Sequence, residues 1–117
     1  MNYKLPFEKY EIYQLAVGLS LDIYQLTTKW PDDEKYGMIS QIKRASTSIG
    51  ANIAEGTSRS SEKEKARFIE IAFGSLMEVA HFLFMANRLS FIRANELNSQ
   101  KLLIDKLANK INSFRKN

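Results

Sequence analysis

Between Tyr10 and Thr28, the residues Ile12, Leu15, Ala16, Leu19, Ile23 and Leu26 recur three or four positions apart, with polar residues between them. That period places them on one face of an amphipathic helix, predicted over about 10–28. Trp30-Pro31 ends it, because proline lacks an N–H and restricts the residue before it. Asp32 or Asp33 then stands where a side-chain oxygen can cap a second helix, with Glu34 in its first turn. This helix is predicted over about 34–55, with Ile39, Ile42, Ile49 and Ile53 as its core stripe. Gly56-Thr57-Ser58-Arg59-Ser60-Ser61 reads as its stop and a loop. A third helix, about 62–89, starts with Ser61 as cap and Glu64 as its capping-box partner. After Ser90–Arg93 a fourth runs over about 94–114. Leu97, Leu103 or Leu102, Ile104, Leu107, Ile111 and Phe114 line its apolar side. No segment carries strand alternation with turn chemistry. Four long helices with three short connections predict an all-α, up-down-up-down antiparallel four-helix bundle, one domain over residues 1–117.

The third helix is too apolar for one buried side. Phe68, Ala72, Leu76 (or Ser75), Val79, Leu83 and Ala86 form a stripe facing the bundle. Ile71, Phe73, Phe82, Phe84 and Met85 are left on other faces. A helix that is apolar most of the way round is buried on more than one side. These five residues therefore mark an oligomer interface. The alternative is a bundle with splayed helices that wrap the third one more fully.

The second helix has the opposite peculiarity. Gln41, Arg44, Ser48, Asn52 and Glu55 form a polar stripe beside its core face, at spacings of three and four. Gly37, Gly50, Ser46, Thr47 and Ser48 are poor helix-interior residues, costing up to about 1 kcal/mol each relative to alanine. Tight packing is one reason for them. A hydrogen-bonded network that sets subunit register is another, with Arg44 pairing to Glu55, Glu70 or Glu78 and Asn52 bridging helices. A solvent-facing stripe and a ligand pocket are the remaining readings.

Composition narrows the chemistry. The chain has no cysteine, which excludes disulfides and thiolate metal sites. His81 is its one histidine, and Glu78-Val79-Ala80-His81 supplies a single Glu-x-x-His. Di-iron bundles need that motif on two helices, which only a dimer could provide by symmetry. Glu55 and Glu78 are the candidate paired carboxylates, but no nucleophile–base pair or phosphate loop accompanies them. No catalytic, cofactor or metal residue is assigned, and no enzyme activity is expected. No apolar run approaches the ~18 residues of a membrane span. Residues 1–6 lack a signal pattern, so a cytoplasmic protein is expected.

The net charge is +4. Residues 1–35 carry four basic and six acidic side chains, whereas residues 91–117 carry six basic and two acidic. The candidate contacts to a nucleic-acid backbone are Lys43, Arg59, Lys63, Lys65, Arg67, Lys101, Lys106, Lys110 and Arg115. The interleaved Glu62, Glu64 and Glu70 weaken this surface. Tyr3, Tyr10, Tyr13 and Trp30 lie in the acidic half, which argues against base-specific reading of RNA.

Several stretches form an ordered series. They are Phe7-Glu8-Lys9, Tyr13-Gln14-Leu15-Ala16, Pro31, Glu34-Lys35-Tyr36-Gly37, Gln41-Ile42-Lys43-Arg44-Ala45, Ser48 to Gly56, and Gly74-Ser75-Leu76-Met77-Glu78. This series closely resembles the bacterial four-helix-bundle proteins associated with intervening sequences of large-subunit ribosomal RNA genes. The resemblance spans about residues 7–92, and Ser48–Gly56 is its most specific part. It implies a left-handed bundle that assembles into a ring, commonly a homopentamer, with no enzymatic activity established. Distant relatives bind nucleic acid and a polymerase through a basic surface. Together these observations favour a non-catalytic oligomeric scaffold or adapter that binds protein partners. The alternative is a nucleic-acid-associated accessory protein using a basic ring surface.

Overall fold

The apolar periods become four helices: α1 (Glu11–Thr27), α2 (Met38–Ser58), α3 (Glu62–Arg88) and α4 (Ala94–Lys116). The computed structural model describes residues 3–116; residues 1 and 2, the start of the stretch that lacks a signal pattern, lie outside it. Short 3-10 turns at Pro6–Lys9 and Asp32–Glu34 precede α1 and α2.

Ile12, Ala16, Leu19 and Ile23 are the buried apolar face of α1. Beyond its end Trp30 is buried and tilts against Phe91, with ring centroids 5.7 Å apart.

The second helix begins four residues later than its periodicity predicts. Asp32–Glu34 are taken up by the 3-10 turn, and Gly37 adopts a non-helical conformation (φ −109°, ψ −112°) immediately before Met38. The Met38 N–H donates to the Glu34 carboxylate at 3.2 Å. Glu34 therefore caps from outside the helix, in the role expected of Asp32 or Asp33. The far end also differs, because Gly56 lies inside α2. A Cβ there would stand 2.9 Å from the Cβ of Phe68. The glycine lets α3 approach closely; it does not stop the helix.

The Ser61 hydroxyl accepts the Glu64 N–H at 3.2 Å, as its sequence position predicts. α3 ends in a Schellman motif. Ser90 N–H donates to Asn87 O at 3.0 Å and Phe91 N–H to Ala86 O at 2.8 Å. Ser90 takes the left-handed conformation (φ 65°) that glycine usually supplies.

Among the described residues α1 packs on α2 and α4, and α3 packs on α2 and α4, while neither diagonal pair meets. Short connections make successive helices antiparallel, which gives the up-down four-helix bundle. α1 and α3 run in the same direction at opposite corners.

Ile42, Ile49 and Ile53 enter the core from α2; Ile69, Ala72, Leu76, Val79, Leu83 and Ala86 enter it from α3. Each fully buried leucine or isoleucine contributes roughly 1.5–3 kcal/mol. Ile39 and Phe68 are half-buried at the edge of this layer, and Ile69 takes the place expected of Phe68. From α4 come Leu97, Ile104, Leu107 and Ile111, with Leu103 and Phe114 half-buried and Leu102 exposed. Gln100 is buried in the same row and donates to Asp22 of α1 at 3.2 Å.

By length and composition, α3 is apolar enough to cross a membrane. This corrects the expectation that no stretch qualifies: Gly74, Ser75, Glu78 and His81 interrupt its apolar residues without lowering their average enough. Only 28% of its most apolar window is buried within the chain.

Candidate functional site

The polar stripe of α2 meets α3 along a seam. The Ser48 and Ser75 hydroxyl oxygens lie 3.0 Å apart. Asn52 Nδ2 donates to the Ser48 carbonyl at 2.8 Å and to its hydroxyl at 2.9 Å. Above this ladder Gln41, Arg44, Ala45, Ser48, Ser75 and Glu78 surround a pocket of about 130 Å³. Gln41, Arg44, Ser48 and Glu78 are thus brought together, and Asn52 joins them through Ser48. Glu55 stands apart and pairs with Arg59 at 3.2 Å. Among the described residues no carboxylate lies within 4 Å of Arg44, so the expected pairs to Glu55, Glu70 or Glu78 are not made. Ser75 was not expected in this network. Its signal is a small polar residue in an otherwise apolar helix, at the height of Ser48.

Ser46 and Gly50 of α2 face α1. A Cβ on Gly50 would meet the Tyr13 ring at 3.6 Å and the Ala16 Cβ at 3.9 Å. The Ser20 hydroxyl donates to the Ser46 carbonyl at 2.9 Å. Ser46 is fully buried at this contact, whereas position 50 has room for a methyl group.

The five surplus apolar residues of α3 divide. Phe73 and Phe82 are half-buried against the chain's own core. The Arg115 guanidinium stands over the Phe73 ring at 4.9 Å, and the His81 ring lies 5.2 Å from that of Phe82. For these two, wrapping by neighbouring helices is enough. Ile71, Phe84 and Met85 remain 43%, 45% and 42% exposed, and Met77 joins them at 40%. Met77 and Phe84 line an apolar groove of about 290 Å³ between α3 and α4, with Leu83 and Ile104 on its walls, whereas Ile71 lies among Lys63, Arg67 and Glu70. Lys101 Nζ stands over the Phe84 ring at 4.6 Å.

The basic residues converge partly. The up-down topology puts the end of α2, the start of α3 and the end of α4 at one end of the bundle, and with them Arg59, Lys63, Lys65, Arg67, Lys110 and Arg115. Three of these are paired: Arg59 with Glu55 at 3.2 Å, Lys65 with Glu62 at 3.5 Å, and Lys110 with Glu11 at 3.0 Å. Among the described residues Lys63, Arg67 and Arg115 have no carboxylate within 4 Å. Arg115 donates to Asn112 Oδ1 at 2.7 Å. A groove of about 510 Å³ at this end is lined by Glu62, Lys65, Ala66, Ile69, Phe114 and Arg115. Lys106 is exposed along α4. Lys43, whose Nζ lies 4.7 Å from the Tyr24 ring centroid, and Lys101 sit nearer the opposite end. Trp30 is buried and offers no face to a base.

Glu78 lines the seam pocket without Glu55, so the two carboxylates do not share a site. Among the described residues no group of three or more histidine or carboxylate side chains converges.

Comparison with known proteins returns one family and one fold. A family model described as 23S rRNA-intervening sequence protein matches residues 8–113. The crystal structure of a protein of unknown function from the S23 ribosomal protein family of Bacteroides thetaiotaomicron superposes with a TM-score of 0.83 at 23% identity, covering 91% of this chain and 96% of that one. At that identity the likeness is one of fold. No curated protein matches.

Proposed function

The chain belongs to the 23S rRNA-intervening sequence protein family, and on that footing we propose that it is a non-catalytic scaffold that assembles with copies of itself and holds protein partners in the cytoplasm. The observation that carries this reading is the exposed apolar surface of α3, with Met77 and Phe84 beside the α4 groove and Ile71 on the other side of the helix. Ile71, Met77, Phe84 and Met85 are each at least 40% exposed on one helix. Met77 and Phe84 join the apolar groove against α4, and an apolar surface left in water marks an interaction site. A ring, in the form of a pentamer, is the assembly that the family resemblance implies. The Ser48–Ser75–Asn52 seam supports it indirectly by fixing the register of α2 against α3. Light scattering coupled to size exclusion tests the reading. A mass several times that of the chain is expected at micromolar concentration; a monodisperse monomer overturns it.

A second reading is favoured by the convergence of Lys63, Arg67 and Arg115 at one end of the bundle. We propose there a surface for the backbone of RNA or DNA. A ring would set these ends side by side and multiply their charge, and salt would weaken the contact by restoring counterions. Binding of a structured RNA should weaken steeply as salt rises, and Lys63→Glu with Arg67→Glu should flatten that slope. No binding at ~50 mM salt, or salt-insensitive affinity, removes the reading.

A further inference from the structure

Two opposite charges flank the α2–α3 seam, and neither is neutralised. The Ser48–Ser75 contact fixes which residues lie level on this antiparallel pair. Counted from it, Arg44 lies about 6 Å along the seam and Glu78 about 4.5 Å, both toward the same end of the bundle. Both line the pocket of about 130 Å³, where Arg44 is the one cation and Glu78 the one anion. Among the described residues Arg44 has no carboxylate within 4 Å and Glu78 no cation. Lys43 turns away to the Tyr24 ring of α1.

The rest of the lining is neutral and mostly small. Ala45 is buried, so the wall it forms carries no polar side chain. The serines supply one uncommitted donor. Two hydroxyls carry two hydrogens, and the Ser48–Ser75 contact uses one of them. Asn52 Nδ2 already donates to the Ser48 hydroxyl at 2.9 Å, which suits Ser48 to donate onward to Ser75. The Ser75 O–H is then left for a third partner. Gln41 adds an amide with both a donor and an acceptor.

This lining selects a ligand with charge of both signs. A simple anion would meet Arg44 but be repelled by Glu78, and a simple cation would meet the reverse. A carboxylate matches the parallel N–H donors of a guanidinium, and an ammonium matches a carboxylate. Volume limits how far apart the two groups stand. At ~30 Å³ per water, the pocket holds the equivalent of about four waters, hence a molecule of about five or six non-hydrogen atoms. Glycine and alanine have that size and carry both groups on one carbon.

We infer that the seam pocket binds a small α-amino acid as its zwitterion. The ligand carboxylate sits on Arg44 and the Ser75 hydroxyl, and its ammonium on Glu78. Bound there, it neutralises both charges and bridges α2 to α3. The site is separate from the apolar groove against α4 and from the basic end of the bundle. It therefore stands or falls independently of the scaffold and nucleic-acid readings.

Titration of the isotopically labelled chain with glycine and with alanine, followed by heteronuclear NMR, tests the inference. Saturable shifts are expected at the amides of Arg44, Ser48, Ser75 and Glu78 and at Arg44 Nε, with affinity of about millimolar order for so few atoms. Acetate and methylammonium, each with one of the two charges, should bind at least about tenfold more weakly. Glycylglycine, whose charges stand further apart, should also bind more weakly than glycine. Arg44→Gln and Glu78→Gln should each lose glycine binding. Both positions are exposed, and an unchanged circular dichroism spectrum shows that the variants are folded; should either fail to fold, the ligand series on the wild-type chain decides alone. No saturable shift with either amino acid overturns the inference, and is the result if Arg44 and Glu78 close on each other in solution. Equal responses to acetate and glycine, or glycine binding that survives both substitutions, overturn it as well.

Discussion

Gly56 and Phe68 stand so close that the first has no room for a side chain: a Cβ on Gly56 would lie 2.9 Å from the Cβ of Phe68 and 3.4 Å from the Lys65 carbonyl. Both obstacles are fixed to backbone and cannot swing away. Gly56→Ala should therefore destabilise the chain by about 1–3 kcal/mol, even though alanine is the better helix former by ~1 kcal/mol. Gly50, whose added Cβ would sit in ordinary contact with Tyr13 and Ala16, is the control. Gly50→Ala should be neutral or stabilising by up to ~1 kcal/mol. Urea unfolding of the two variants measures both; equal effects would refute the close-approach role of Gly56.

The Ser48–Ser75 contact joins two helices of the same chain. A double-mutant cycle of Ser48→Ala and Ser75→Ala should return a coupling of about 0.5–1.5 kcal/mol in unfolding free energy. The mass of the assembly should not change in either variant. Loss of assembly in Ser75→Ala would move this network from the fold to the contact between subunits.

At the end of α3, Ser90 holds a backbone conformation that costs an L-residue roughly 1 kcal/mol and costs glycine little. Ser90→Gly should raise stability by about 0.5–1 kcal/mol, read as a higher melting temperature. Ser90→Ala should bring no gain, because it keeps the Cβ that makes the conformation unfavourable.

Gln100 is buried, and its Oε1 meets no donor among the described residues, while its Nε2 binds the exposed Asp22. Gln100→Leu removes an unmatched acceptor and leaves Asp22 free to take its bond from water. A gain of about 1 kcal/mol is expected from denaturant melts. A loss would show that the α1–α4 bond outweighs the unmatched oxygen.

The four helices were legible in the sequence because their apolar residues keep one period over many turns, as Ile12 to Leu26 do for about four. Their boundaries were harder where one residue type serves two purposes. Gly56 carries the signal of a helix stop, but the proximity of Phe68 that explains it exists only after folding. Glu34 looks like a first-turn residue, whereas the 3-10 turn places it outside the helix as a cap. Among the site residues, the grouping of Gln41, Arg44 and Ser48 with Glu78 follows from spacing and antiparallel packing. The partner of Arg44 does not, since long side chains choose between neighbours by local geometry. The surplus apolar residues of α3 divided for a similar reason. A helical wheel assigns Phe73 and Phe82 a direction, but how far α2 and α4 wrap around them depends on interhelix distances.

The seam between α1 and α4 has a consequence for the order in which the molecule assembles. Every other helix contact joins neighbours in the chain, across a connection of ten residues or fewer. The Gln100–Asp22 bond spans 78 residues, and the Lys110–Glu11 and Tyr10–Phe114 contacts lie further along the same seam. Closing so long a span costs chain entropy that the three hairpin contacts do not require. α1–α2–α3 should therefore form first, with α4 docking last. Amide exchange near Leu107 and Ile111 should then exceed that near Ile49 and Leu76, although all four side chains are equally buried.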